Sequence, residues 1–363
     1  MSRDKVLDWL LEPEQPSIRY LALTKLLGKE ESDPEVRATR SRIPKTGWVA
    51  DLLADRDPTG WWARDKGWME PRFVATHWVM LALADLGATR AIPEVASSAE
   101  YWMAKSPLEG GGVGGFGKGK GHHCYTANMA RGLLRLGYED DPRVRKTLDW
   151  IVRTAHPKGG WSCRYVNNGP APSRTLDAWE GLGAFAAYPR SKWTPAMSAV
   201  VDRTALYYLE HELHNQGDRY EPWYRFHWPV HYYYDLLVGL DCLTELGYGD
   251  DPRLGYALDL LRKKRRSDGR WDLDALQPDP YQEFVDWFAT HPGNCPVPLV
   301  FEEVGKPSKM VTLRALVVLS RVDGVSSAMA RSPDVLQRLR PVRTPPVSPG
   351  SRRSGSNRHS SVR

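Results

Sequence analysis

Cysteine is scarce in this chain, four residues among 363, and phenylalanine is scarcely commoner at seven. Long apolar runs are missing too. No stretch approaches the roughly eighteen consecutive apolar residues of a membrane-spanning helix, so none is expected to cross a bilayer. The opening MSRDKVLDWLLEPEQPS has no long apolar segment and turns polar after Leu11, unlike a secretory leader. Few cysteines and no leader predict a reducing, cytoplasmic setting, where thiols are free, catalytic or metal-bound more often than bridged. The chain also lacks a C-x-x-C pair and an H-E-x-x-H helix. Its Gly110–Gly121 stretch, GGGVGGFGKGKG, has neither the G-K-S/T ending nor the preceding strand of a phosphate loop and is expected to be a flexible turn.

Charge is nearly balanced in the body. The formal charge is +6, but residues 331–363 hold eight Arg and one Asp, a net +7, which leaves −1 for residues 1–330. A near-neutral body presents no polyanion-binding face, so no specific nucleic-acid partner is expected. The Pro-, Ser- and Arg-rich end, residues 326–363, cannot bury enough apolar surface to offset its ordering entropy and is expected to be a disordered basic tail on a domain of residues 1–325.

What the sequence has in abundance is Trp and Tyr, 15 and 16 residues. Both carry a polar handle on an apolar body, which suits a lined cavity as well as wedges between helices. It also has an internal repeat. LGYEDDPRVRKTLDWIVRTAHPKGGW, Leu136 to Trp161, matches LGYGDDPRLGYALDLLRKKRRSDGRW, Leu246 to Trp271. Each unit ends one helix at Leu-Gly, where Gly takes the left-handed position. Asp-Pro then starts a second helix, Asp as cap and Pro at the first helical position. A Gly-x-Trp turn and a long loop follow.

Six first helices are predicted, near Ser17–Leu27, Phe73–Leu86, Cys124–Leu136, Thr175–Ala187, Tyr232–Leu246 and Lys309–Arg321. The second helices, such as Val144–Val152, have a Lys/Arg-rich face. The first helices have no simple polar face and carry Asn128, Arg131, Glu180, Asp235 and Asp241. A helix contacted on several sides is an inner helix. About six helical hairpins of roughly fifty residues predict an all-α fold, an α6/α6 toroid, with an open superhelix as the alternative.

That topology puts the short inner-to-outer loops on one rim. The long loops Gly60–Arg72, Gly110–His123, Trp161–Arg174, Asn215–His231 and Trp271–Ser308 share the other, and function is expected there. His122, His123, Cys124, Cys163, His227, His231, His291 and Cys295 all fall in or beside those loops. Thiolate and imidazole are the ligands zinc prefers, so Cys124, Cys163, His122 and His231 form a candidate Zn²⁺ set. Capping and loop packing are the competing roles. Carboxylates offer a second chemistry. Asp272 and Asp274 form a D-x-D pair, and Asp177 and Glu180 lie one turn apart on an inner helix; neighbouring carboxylates can raise one pKa and create a general acid. Cys242, mid-helix, reads as a small core residue.

The units ending in Gly-Gly-Trp161 and Gly-Arg-Trp271 resemble the repeats of the prenyltransferase and squalene-cyclase (terpenoid cyclase) superfamily, whose members are α/α toroids. The resemblance spans most of residues 17–321 and, more closely, points to a bacterial branch recognised by these repeats alone. His122-His123-Cys124-Tyr125, after Gly115-Phe116, is similar to the Asp-x-Cys-Tyr zinc motif of protein prenyltransferase β subunits. It carries over Cys124, and His122 in place of the Asp; His231 is similar in placement to that family's zinc His. The chain departs from the family elsewhere. The repeat's usual Gln is Ala155 in one unit and Arg265 in the other, D-x-D-D is reduced to Asp272-Leu273-Asp274-Ala275, and no DDxxD occurs.

The resemblance implies an enzyme acting on an isoprenoid or related lipid substrate in an aromatic-lined barrel, with zinc as activator or, without it, Asp274 as acid. Two other readings stay open. One is a carbohydrate lyase or hydrolase, with Trp61, Trp62, Trp68 and Trp161 stacking on sugars. The other is a non-catalytic scaffold for a ligand or protein.

Overall fold

The computed structural model describes residues 3–63, 67–162, 165–166, 169–170, 173–214, 219–277, 290 and 298–323. Cys163, His291, Cys295 and the predicted tail lie outside them. The described chain is mostly helical. In order, its helices are α1 (Arg3–Leu10), α2 (Pro16–Leu21, continued by a π turn, Ala22–Leu26), α3 (Pro34–Arg40), α4 (Trp48–Ala54), α5 (Thr76–Asp85), α6 (Pro93–Lys105) and α7 (His123–Arg135). They continue with α8 (Pro142–Thr154), α9 (Glu180–Ala187), α10 (Pro195–Glu210), α11 (Leu236–Glu245), α12 (Gly255–Lys263) and α13 (Lys309–Val322).

Burial separates two sets. Residues Thr76 to Ala84 of α5 and nearly all of α7 are buried around the whole circumference, whereas α8 buries one stripe, Val144, Thr147, Leu148, Ile151 and Thr154, together with Trp150. The inner helices pack in chain order, α5 on α7, α7 on α9, α9 on α11 and α11 on α13. The last of them, α13, packs against α2 and its π turn.

The repeat is visible in hydrogen bonds. Asp33, Asp141 and Asp251 each accept from the backbone N–H two residues on, at 2.8, 2.8 and 3.0 Å. At Leu-Gly, the Gly137 N–H donates to Leu134 and the Tyr138 N–H to Leu133; Gly247 and Tyr248 repeat both bonds with Thr244 and Leu243. The outer helices α4, α8 and α12 also end alike. Their last turns tighten to i→i−3 bonds, Arg56 to Leu53, Ala155 to Val152 and Arg265 to Arg262. This leaves the carbonyls of Leu52, Ile151 and Leu261 without a backbone donor. The indole N–H of Trp62, Trp161 and Trp271, ten residues further on, donates to each at 2.8, 2.9 and 2.7 Å.

Three local expectations need correction. The first Asp-Pro unit makes two short helices, α3 and α4, with Gly47 at a φ of 74° between them. Asp177 is not helical; the Thr175 N–H bonds the Trp161 carbonyl, and α9 starts only at Glu180. The glycine-rich stretch is no flexible turn. It forms β1 (Pro107–Leu108), β2 (Gly112–Val113), β3 (Gly115–Phe116) and β4 (Lys120–His122). β1 and β2 pair antiparallel, and β3, β4 and β5 (Tyr165–Val166) make a three-stranded antiparallel sheet.

Glycine serves close packing in that sheet. A Cβ on Gly121 would lie 2.1 Å from the ring of Trp150, which is 1% exposed and cannot swing away. Overpacking of this kind costs roughly 1–3 kcal/mol. Gly121→Ala is therefore expected to lower the unfolding free energy by that amount in denaturant titration. Gly255→Ala, whose Cβ meets nothing within 4 Å at the start of α12, should be neutral or slightly stabilising. Equal stabilities of the two variants would refute this account of the strand.

Candidate functional site

The N-terminal end of α7 and the loops before α5, α7 and α11 gather a half-buried aromatic group: Trp68, Phe116, His122, Tyr125 and Tyr232. Ring centroids run from Trp68 to Phe116 at 5.3 Å, Phe116 to Tyr125 at 5.3 Å, His122 to Tyr125 at 4.8 Å and Tyr125 to Tyr232 at 5.6 Å. Tyr232 stacks on Tyr233 at 4.5 Å. Arg72 sits among these rings, donating to the Tyr232 hydroxyl at 3.2 Å and lying 3.6 Å from Glu70. Burial would lower the Arg72 pKa, but Tyr125, Tyr232, Glu70 and Tyr233 outweigh it, and the guanidinium is held above its ordinary value. These loops thus offer aromatic faces around Arg72. We call this cluster the mouth.

Beneath the mouth lies a layer of buried imidazoles. His77 touches Trp68, Trp78 and Trp102 through edge-to-face contacts at 5.5, 4.7 and 5.3 Å, and neither ring nitrogen has a hydrogen-bond partner among the described residues. His231, with a φ of 47°, stacks on Phe73 at 4.9 Å; His123 stacks on Trp161 at 4.9 Å and 9°. Burial pushes His77 well below the usual imidazole range and His123 and His231 down to about 3. Burial, helped by Arg72, takes His122 to about 4.

Glu180 opens α9 at this same end with no exposed surface, and neither carboxyl oxygen has a hydrogen-bond partner among the described residues. Burial raises its pKa well above the carboxylate range, opposed by its own backbone N–H and by Arg131 and helped by Asp177. Burial of this kind favours the protonated form of a carboxyl. Asp177 keeps one buried oxygen unpartnered beside it.

The other nominated acids are differently placed. Asp274 accepts from the Phe226 N–H at 2.7 Å and pairs with Lys264 at 2.8 Å, while Asp272 pairs with Arg266 at 3.0 Å. Each has its own cation, so the D-x-D pair does not face inward as one unit. His227 and Asp235 form a fully buried contact, Nδ1 to Oδ2 at 2.5 Å, and Asp235 also caps α11 through the Val238 N–H. This tie locks the loop onto the helix.

The zinc set does not fit. Cys124, 1% exposed, is disulfide-bonded, and its partner lies outside the described residues, as Cys163 does. A disulfide sulfur offers no thiolate to a metal. Among the described residues no three His, Cys, Asp or Glu side chains gather to hold an ion. The bridge also departs from the expectation of free thiols; Cys242 alone among described cysteines is free, and it is buried. Of the tryptophans suggested as sugar platforms, Trp62 and Trp161 are 3% and 0% exposed and are consumed by the helix-end bonds described above.

A second feature lies among the inner helices. Leu21, Lys25, Asp85, Arg131, Arg135, Trp179, Trp228, Asp241, Met310, Leu313 and Arg314 are among the residues that surround a cavity of about 60 Å³. Charged groups outnumber aromatic ones on its wall, because α5, α7, α11 and α13 carry Asp85, Arg131, Arg135, Asp241 and Arg314 toward it. Sequence reading had singled out Arg131 and Asp241 as inner polar residues but not Arg314, Lys25 or Arg72, which carry no motif.

Comparison with family models and with curated proteins returns no match. Among the described residues no helix is long and apolar enough to cross a membrane.

The imidazole layer fixes a pH dependence. In the folded state His123 and His231 stay neutral, whereas the unfolded chain binds protons below about pH 6.5, so stability is lost as pH falls through that value. From pH 6.5 to 5 each group removes about 2 kcal/mol. His231→Asn, which tolerates the left-handed backbone, is expected to cut the loss over this interval by about 2 kcal/mol in urea titrations. An unchanged pH slope would show that His231 is protonated in the folded protein.

Proposed function

We propose that this chain is an α/α toroid enzyme of isoprenoid or related lipid chemistry, like the terpenoid cyclase and prenyltransferase superfamily whose repeats it resembles. The packing of inner helices in chain order, with α13 returning to α2, supports a closed ring. The observation that carries the functional reading is the aromatic mouth around Arg72, with a neutral, fully buried carboxyl at Glu180 on the same end. Half-buried rings shelter an apolar chain, and their faces stabilise positive charge developing on carbon. Arg72 supplies a fixed cation for an anionic or hydroxyl head group.

The mouth rather than the axial cavity takes this substrate. Pockets for drug-sized ligands measure about 300–1,000 Å³, far more than the 60 Å³ on the axis. Glu180 replaces Asp274 as the nominated acid, since Asp274 is spent on Lys264 and the Phe226 N–H. In the step we assign to it, the Glu180 O–H proton passes to an alkene carbon. The alkene π pair forms the new C–H bond, leaving a carbocation on the neighbouring carbon and a carboxylate at Glu180.

The test is product analysis by gas chromatography and mass spectrometry after incubating the full chain with squalene, farnesyl diphosphate and geranylgeranyl diphosphate. Turnover of at least one is expected, and Glu180→Gln should reduce it roughly a hundredfold or more, the scale of general-acid catalysis. Arg72→Gln should raise KM more than it lowers kcat. No turnover of any, with tryptophan fluorescence unmoved by all three, would end this reading.

A further inference from the structure

The axial cavity is unexplained by chemistry at the mouth. Its wall holds four cations, Lys25, Arg131, Arg135 and Arg314, against two carboxylates, Asp85 and Asp241. Nearby Arg321 and Glu245 add one charge of each sign and lie 3.7 Å apart. The excess is two positive charges in a space mostly withdrawn from solvent. Internal pairing leaves part of it unspent. Arg131, 2% exposed, donates Nη1 to Asp85 at 2.8 Å and Nε to Asn128 at 2.9 Å, but its buried Nη2 has no partner among the described residues. Arg314 meets Asp241 through Nε at 3.4 Å, and its buried Nη1 is likewise unpartnered. Asp241 is drawn mainly toward Arg321, at 2.8 Å.

A buried guanidinium N–H without an acceptor is costly, more so for a charged group than a neutral one. Two around one cavity point to an acceptor that completes them. The cavity decides its size. About 60 Å³ corresponds to roughly four to six water-sized probe volumes, enough for a group of a few heavy atoms and too little for a nucleotide or a lipid. The excess charge decides its sign. The floor is apolar, formed by Trp179, Met310, Leu313 and Val317, and Trp179 also lies under the Arg131 guanidinium at 5.1 Å. The π turn of α2 carries exposed Lys25 to the solvent side.

We propose that the axial cavity is a binding site for a small oxyanion, a phosphate or carboxylate group, held between Arg131 Nη2 and Arg314 Nη1 with Lys25 at its entrance. The inference does not depend on which substrate the mouth admits.

The experiment is calorimetric titration of the full chain with inorganic phosphate and, separately, acetate, at fixed ionic strength made up with chloride. Saturable binding of at least one is expected. Losing one charge-assisted hydrogen bond, Arg314→Gln should weaken it about tenfold or more, and Lys25→Gln should weaken it severalfold. Preference for phosphate assigns the site to a phosphoryl group, and preference for acetate to a carboxylate; either supports the proposal. Phosphate also stabilises proteins nonspecifically by exclusion from their surface, an effect that would persist in both variants. Binding unchanged in Arg314→Gln and Lys25→Gln, or no saturable binding of either anion, overturns it. Should Arg314→Gln fail to fold, Lys25→Gln decides alone, because Lys25 is exposed and its loss leaves the core intact.

Discussion

The repeat depends on how the outer helices α4, α8 and α12 are stopped. A helix leaves carbonyls without donors at its C-terminus, and burying them unsatisfied costs about 1–3 kcal/mol apiece. Here α4, α8 and α12 tighten their last turn and hand one orphan carbonyl to an indole N–H ten residues downstream. The tryptophan thereby becomes a strut between the end of one hairpin and the start of the next. The backbone of the same turn is tied in as well. The Trp62 and Trp271 N–H groups donate to Thr76 of α5 and Thr312 of α13, and Thr175, before α9, donates to the Trp161 carbonyl. With the strut fixed, the loop that follows α4, α8 or α12 starts from the same place relative to its helix, and the loop after α4 brings Trp68 and Arg72 to the mouth.

Inner helices surrounded by other helices cannot send polar side chains to water, so those they carry must meet one another. Asn128 shows the consequence. Its amide donates to the His231 carbonyl at 2.6 Å and its oxygen accepts from Arg131 at 2.9 Å. Arg131 then reaches Asp85, which Arg135 also grips. One polar chain therefore runs from the imidazole layer under the mouth to the charged axial cavity. Burial alone would raise the Asp85 pKa, but Arg131 and Arg135 hold it below its ordinary value. Removing one member of such a buried network costs more than the pair contributed, because the survivor keeps its desolvation penalty.

The repeat was legible in the sequence wherever backbone chemistry recurred. Leu-Gly at 136 and 246, Asp-Pro at 141 and 251 and the Trp turns at 161 and 271 name residues whose conformations or hydrogen bonds are local, so spacing alone placed the helices within a few residues. Local patterns do not disclose tertiary partners. The glycine-rich stretch looked unconstrained because glycine permits many conformations; Gly121 is there because Trp150 lies against it. Thr175 carries helical spacing, but its N–H is taken by Trp161 and the helix starts later. Cys124 and its neighbouring imidazoles looked like metal ligands by residue type, whereas the sulfur is bonded and the imidazoles are dispersed among rings. Arg72 and Arg314 belong to no pattern at all, and only the packing of distant segments gives either one a role.

Which carboxyl can act as an acid is also a question of surroundings. Asp274 and Glu180 differ little as isolated groups. Asp274 is about a quarter exposed, with Lys264 at 2.8 Å and a backbone N–H at 2.7 Å. Glu180 has no exposed surface and no cation in contact among the described residues; Arg131, the one opposing charge, is engaged by Asp85. Each pKa unit by which burial raises a carboxyl is about 1.4 kcal/mol in favour of its protonated form. The protein spends its cations on the part-exposed carboxylate and withholds them from the buried one, so burial favours the protonated form at Glu180, and that difference is why Glu180 replaces Asp274 in the proposed reaction.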